Sequence, residues 1–384
     1  VTYTESEERR ALRAAVAELG AKYGPDYYIR KARAGEKTDE LWREAGRLGY
    51  LGVNVPEEYG GGGGGIGDLA AVCEELAAAG CPLLLMVVSP AICATIIARS
   101  GTEEQKKHWL PRFADGSVKM AFAITEPDAG SNSHRITTTA ARDGDGWILN
   151  GQKTFISGVD EADAVLFVSR SSDQKGNLRP SLFIVPTDTP GFTYTPIEME
   201  IVSPEKQFIC HLDDVRLPYD ALVGDEDGGL LQLFAGLNPE RIMASAMGAG
   251  IGRLALDKAV NYAKDRQVFK TPIGAHQGIA HPLATAKIEL ELARLMGQKA
   301  AALYDAGDDM GAGEAANMAK YATAEAAVHA VDHAIQTHGG NGLTSEYGVG
   351  MLAGVVRLMR IAPVSREMIL NFVAQHTLGL PKSY

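Results

Sequence analysis

The strongest constraint on this chain is a double change of hydrophobic period. Up to about residue 118 the apolar side chains recur at helical spacing. From Lys119 to about Val223 they alternate in short runs such as ADAVLFVSR and SLFIVPT, split by turns at DGDG, DQKGN and DTPGF. From Asp225 helical spacing returns in a stretch rich in Ala, Leu and Met. A period of 3.6 residues suits a helix and a period of two suits a strand, so neither pattern serves the other element. The expected fold class is α+β and multidomain: an N-terminal helical domain (1–118), a mostly antiparallel β domain (119–225) and a C-terminal helical region (226–384).

A chain of 384 residues can close two or three cores. The net charge of −11, with no block of Lys or Arg, excludes nucleic acid and anionic membrane as main partners. Any phosphate site must therefore be local. Cys73, Cys81, Cys93 and Cys210 stand apart, without metal-ligand spacing, and read as reduced core thiols in a cytoplasmic protein. The opening VTYTESEERRALRAAV is charged and lacks the apolar core of a signal peptide, so an amphipathic helix is expected there. CPLLLMVVSPAICATIIA (81–98) approaches membrane-spanning length, but Ser89-Pro90 interrupts it, and a buried helix broken at Pro90 is expected instead.

Several segments carry candidate chemistry. The six glycines in VPEEYGGGGGGIGD (55–68) read as a flexible loop; no strand precedes them and no Lys-Ser/Thr follows, as a phosphate loop would need. In GLNPERIMASAMGAG, Asn238 reads as an N-cap and Pro239 as the first helical residue, with further helices expected at 277–306, 314–338 and 364–378. The stretch from Ala121 to Gly158 is the most informative. Its apolar start breaks at Pro127, Asp128 and Gly130, a turn whose N–H groups could cradle an anion. Its second half alternates around Trp147, Leu149, Phe155 and Ser157, and aromatic rings beside hydroxyls suit a flat heteroaromatic cofactor. An ordinary antiparallel sheet with a tight turn would use the same residues, and the residues alone leave both open.

Six segments in order, LGVNVPEEYGG, FAITEPDAGS, LNGQKTFISG, DDVRLP, DRQVFKTPIGAHQ and QTHGGNGL, make the chain resemble the acyl-CoA dehydrogenase family over essentially its whole length. The resemblance implies a central antiparallel β-barrel, a C-terminal four-helix bundle, FAD, and a homo-oligomer, dimer or tetramer, built by pairing bundles. It implies dehydrogenation of an acyl-CoA thioester to the trans-2-enoyl-CoA, a step in lipid and fatty acid metabolism, with electron-transfer flavoprotein as acceptor. It places Phe122, Ile124 and Thr125 at the flavin's polar edge, Ser131 against flavin or the pantetheine arm, Phe155 on the isoalloxazine and Ser157 near N5. Arg266, Phe269, Gln277, Gln336, Gly339 and Gly340 resemble contacts to the diphosphate and adenine of a neighbouring subunit's FAD. Lys270 stands where a Gly is usual.

The base is the instructive case. The register at which most of the family carries a C-terminal Glu falls here on Pro363, which can neither take a proton nor donate an N–H. The isovaleryl-type branch resembles this chain in placing Glu at the start of a bundle helix, which here is Glu240; a first-turn acid favoured by the helix dipole is the plainer account of that residue. Arg241 matches a recurrent Arg in the substrate region, Ser365 a FAD-contacting hydroxyl, and Val364 could donate where Pro363 does not. Arg366 and Glu367 depart from the usual pattern, and Arg366 is placed to touch substrate or cofactor. His134 and Arg135 could meet CoA phosphates or sit in an exposed loop. Two other readings keep the fold: a non-catalytic FAD- or CoA-binding subunit of a hetero-oligomer, and an O2-using acyl-CoA oxidase.

Overall fold

A computed structural model describes residues 5–172, 177–226 and 229–382. Six α-helices come first: α1 (Glu7–Ala34), α2 (Asp39–Arg47), α3 (Ile66–Ala78), α4 (Leu84–Val88), α5 (Thr95–Ser100) and α6 (Glu103–Ala114). The break expected at Pro90 is a π-helical turn, Ser89–Ala94, between α4 and α5, and all six of its residues are buried. Among the described residues no helix is long and apolar enough to cross a membrane.

The glycine run is not a flexible loop. Gly62, Gly63 and Gly64 donate to the carbonyls of Gly52, Val55 and Val53 at 2.9, 2.9 and 2.7 Å. A Cβ on Gly61 would lie 2.1 Å from the Val55 carbonyl oxygen, so glycine is required by close backbone approach. The run ends at the N-terminus of α3, where the Asp305 carboxylate accepts from Ile66 and Gly67 at 2.7 and 3.0 Å.

The sheet comprises β1 (Met120–Ala123), β2 (Thr139–Asp143), β3 (Gly146–Ser157), β4 (Ala164–Ser172), β5 (Leu178–Pro186), β6 (Phe192–Ile197), β7 (Gln207–Pro218) and β8 (Leu222–Val223). Its order is β6-β7-β3-β2-β4-β5-β8, with β1 pairing in parallel with β4. The expected barrel is thus an open sheet, because β6 and β8 end the order instead of pairing with each other. Both faces are apolar. Met120, Phe122, Leu166 and Leu182 pack with the N-terminal helices, while Ala121, Phe167, Phe183 and Trp147 build a second core on the other face. Of the expected turn at DQKGN, residues 173–176 lie outside the described residues.

Helix α7 runs from Gly229 to Asp265. Asn238 and Pro239 therefore lie inside it, not at its start. A proline there cannot donate to the carbonyl four residues back, Ala235. The Tyr304 hydroxyl, from a neighbouring helix, donates to that carbonyl at 2.8 Å and supplies the missing bond. Asn238 instead donates to the Asp309 carbonyl at 3.1 Å. A short hairpin, β9 (Gln267–Val268) and β10 (Thr271–Pro272), leads to α8 (Gln277–Asp305), α9 (Asp309–His338), α10 (Leu352–Ile361) and α11 (Arg366–Phe372). Helices α7, α8, α9 and α10 pack as a bundle. One core joins Val16, Leu41, Leu76 and Met86 to Met247, Leu290, Ala327 and Val356, so the first and last helical blocks share an interior.

Glu126 and Lys153 form a buried ion pair at 2.9 Å with almost no accessible side chain on either. Glu126 also accepts from the backbone N–H and hydroxyl of Thr138, at 2.9 and 2.6 Å, and from the same groups of Thr137. Lys153 donates a further bond to the Ile124 carbonyl at 3.1 Å. Burial pushes the Glu126 carboxyl up, yet the bonds from Thr138, Lys153 and Thr137 outweigh it and hold the group at about 2.

Two predictions concern stability. Lys153→Met strands a buried carboxylate and should cost about 3–5 kcal/mol in urea unfolding, with a smaller loss in the double variant Glu126→Gln/Lys153→Met. Tyr304→Phe leaves the Ala235 carbonyl unpaired and should cost about 1–2 kcal/mol by the same measurement.

Candidate active site

The site begins on β3, opposite the turn that follows β1. Its register against β7 slips by one residue between Lys153 and Ile156, a bulge that turns the next side chains out of alternation. Phe155 takes the left-handed conformation there, φ 56°, and its ring is 58 % exposed. Burying such a ring is worth about 1.5–3 kcal/mol, so an exposed Phe on a strained bulge is a surface shaped to be covered. Thr154 donates to the Thr125 carbonyl at 2.9 Å, which lays the turn alongside the bulge. Thr125, Ile124 and Ser157 are half-buried, whereas Phe122 is buried and packs with the N-terminal helices. Ser157 donates to Gln207 at 3.0 Å, so its oxygen remains available to accept. A flat ring with a polar rim fits this combination. Ser131 is exposed in the loop that follows, as are His134 and Arg135 on a single turn of 3-10 helix.

A second group forms at one end of the bundle. Arg266, Phe269, Gln277, Gln336, Gly339 and Gly340 are all exposed. The Phe269-Lys270 dipeptide closes a two-residue hairpin with both residues left-handed, φ 54° and 68°, a turn that usually recruits Asn or Gly. Lys270 therefore keeps the turn but strains it, and it holds the Phe269 ring 89 % exposed at the tip. Tyr262 stacks on His338 at 4.3 Å between ring centroids and accepts from Asn341 at 3.1 Å. Those contacts bring the Arg266 and Gln336–Gly340 segments together, and a Cβ at Gly339 or Gly340 would meet only open space. Chemically, this end presents a guanidinium fork, two amides and bare backbone, a set that suits a diphosphate. It sits on the helices and not on the sheet, so the residues expected at the flavin fall into two groups.

Glu240 lies well inside α7, far beyond the first turn, so the helix dipole does not account for it. It keeps some accessible surface while being deeply enclosed by protein, as a side chain lining an interior recess does. Burial pushes its carboxyl up to about 7, against Arg241 and Lys320, which favour the charged form. Lys320, on α9 and only 2 % exposed, donates to the Val364 carbonyl, next to Pro363. Lys320 thus ties the Pro363 loop to α9. Arg241 donates to the Leu237 carbonyl and to Asn238 at 3.2 and 3.3 Å, bracing its own helix. Ser365 caps α11 by accepting from Met368 at 3.3 Å, which leaves its hydroxyl proton free to donate. Arg366 is turned toward Glu325 at 3.7 Å and Glu367 at 3.9 Å.

Sequence reasoning passed over Glu126, Lys153, Gln207, Tyr262 and Lys320. For Lys153 the signal was parity: on β3 it follows Trp147 and Leu149 at even spacing, which puts a lysine on the buried face. Tyr262 and Lys320 had no such signal, since each stands among ordinary helical residues.

Three family profiles match along the chain: acyl-CoA dehydrogenase N-terminal domain (6–117), middle domain (121–208) and C-terminal domain (227–378). The chain is 68 % identical over 384 residues to the acyl-CoA dehydrogenase FadE12 of Mycobacterium tuberculosis, covering 100 % of this chain and 99 % of that one. A glutaryl-CoA dehydrogenase from Mycobacterium smegmatis, solved in complex with FADH2, superposes with a TM-score of 0.91 at 28 % identity, covering 99 % of this chain and 96 % of the other. A structure from work on the electron transferring flavoprotein of Acidaminococcus fermentans reaches a TM-score of 0.93 at 28 % identity, covering 98 % and 100 %. Matched along nearly its whole length, the chain belongs to the FAD-dependent acyl-CoA dehydrogenase family.

Proposed function

We propose that this chain removes hydrogen from the α and β carbons of an acyl-CoA thioester to give the trans-2-enoyl-CoA, with Glu240 as the base for the α proton. The observation that carries this reading is the Glu240 carboxyl itself, enclosed inside the fold and raised to about 7 by burial. A carboxylate desolvated in this way is a stronger base than one in water. When bound, FAD supplies the acceptor for the β hydride. Phe155 would lie on its ring, with Phe122, Ile124 and Thr125 along the polar edge and the Ser157 oxygen near N5.

The thioester needs its α carbon held against Glu240 while water is excluded. Ser131, exposed in the loop after the turn, would meet the pantetheine arm, and Arg241, held by Leu237 and Asn238, would support the wall beside the base. Ser365 keeps a hydroxyl proton for the cofactor. The open end of the bundle, with Arg266, Phe269, Gln277, Gln336, Gly339 and Gly340, suits the diphosphate and adenine of FAD held by a second copy. That division of the site supports a homo-oligomer, dimer or tetramer. An electron-transfer flavoprotein is the acceptor that the Acidaminococcus relative favours.

The test is anaerobic bleaching of the purified yellow protein with butyryl-, isovaleryl-, octanoyl- and palmitoyl-CoA. At least one should bleach the wild type and Glu367→Gln but leave Glu240→Gln yellow; bleaching by Glu240→Gln would remove Glu240 as the base. No bleaching of the wild type by any of the four would favour the non-catalytic reading, and peroxide formed in air in step with substrate loss would favour the oxidase.

The pH dependence follows from the raised carboxyl. Because only the ionised form accepts a proton, the bleaching rate should rise with pH to a plateau above about 7. Below that midpoint it should fall about tenfold per pH unit.

A further inference from the structure

Lys320 is a buried cation with few partners. Its backbone is fixed, because one turn further on Thr323 bonds Ser245 of α7 at 2.7 Å, and Ser245 also reaches the Ala319 carbonyl at 3.4 Å. Among the described residues, the one hydrogen bond its ammonium donates runs to the Val364 carbonyl. A buried ammonium needs a compensating anion. Of the acids around it, Glu325 is already engaged by Arg360 at 2.7 Å and faced by Arg366, and Glu367 is three-quarters exposed beside Arg366. Glu240 is the enclosed acid left to balance it. The other groups that face Glu240 are the Arg241 guanidinium, whose bonds go to Leu237 and Asn238, and the Cys93 thiol of the π-helical turn, which burial keeps neutral.

We infer that Lys320 is a positioning residue for the reaction: its ammonium ties the loop at Val364 to α9, and its buried charge acts on Glu240 of α7 through space, so one side chain serves both loop and base. The inference rests on Glu240 being the base. Arg241 shares the electrostatic task but bonds only its own helix, whereas Lys320 joins α9 to the loop. Burial pulls the Lys320 ammonium down to about 8, against the pull of Glu240 in the other direction, so its charge weakens just above the range in which Glu240 ionises.

Three variants of the holoenzyme separate charge from anchoring. Lys320→Met removes both, Lys320→Gln removes the charge and keeps a donor within reach of the loop, and Lys320→Arg keeps both. The readout is the pH profile of anaerobic bleaching by whichever of the four acyl-CoA esters bleaches the wild type, with Tm alongside. The midpoint should rise by about one pH unit in the Met and Gln variants, and stay within a few tenths in the Arg variant. Should the Met variant fail to fold, the Gln and Arg pair carries the comparison. A midpoint unmoved in Lys320→Gln, with or without a lower Tm, overturns the inference and leaves Glu240 as the base. Bleaching that survives Glu240→Gln overturns both.

Discussion

The buried pair of Glu126 and Lys153 is the contact on which the proposed cofactor wall depends. A carboxylate and an ammonium taken out of water are costly to keep unless every lone pair and proton is used. Here Thr137 and Thr138 supply hydroxyl and backbone donors to the carboxylate, and the Ile124 carbonyl takes a further proton of the ammonium. Those bonds join the turn after β1, the strand β3 and the approach to β2 at one point. The exposed Phe155 bulge begins two residues further on. A strained, water-facing aromatic keeps its place only if the strand behind it is over-determined, and this pair is what over-determines it.

On the helical side a similar economy governs α7. Pro239 would normally end or kink a helix, but the Tyr304 hydroxyl takes up the carbonyl it leaves behind. The helix therefore runs on past Glu240 and carries the acid into the interior, instead of presenting it at an exposed first turn. Burial rather than the helix dipole then decides its protonation. The same proline that looks like a helix start in the sequence serves, in the fold, to place a neighbouring residue.

Much of this was legible in the sequence. The double change of period gave the order of helices, sheet and helices, because alternation and 3.6-residue spacing are properties of each segment alone. The motifs also pointed to Phe155, Ser157, Arg266 and Gln336, and the structure leaves Phe155, Arg266 and Gln336 exposed. What could not be read depends on contacts distant in the chain. Asn238 looked like a cap because Tyr304, which rescues the helix through Pro239, lies elsewhere in sequence. The glycine run looked loose because its acceptors at 52–55 are backbone carbonyls, which no side-chain pattern reports. The barrel expected from the resemblance is an open sheet. Lys320 was invisible for the same reason as Tyr304: its partner is a carbonyl on a loop beyond the end of its own helix.

The interior shared by the first and last helical blocks bears on how the chain is made. Val16, Leu41, Leu76 and Met86 find their partners among residues from Ile242 to Met359. During synthesis from the N-terminus, the early helices leave the ribosome with their apolar faces uncovered and must wait for the whole sheet and most of the bundle to follow. Contacts of such long sequence separation are slow to close, and the waiting surface is prone to stick to other chains. Two of the four buried thiols, Cys73 and Cys81, lie in that shared interior and are open to oxidation until it closes. For this fold, the vulnerable moment lies before the last helices arrive.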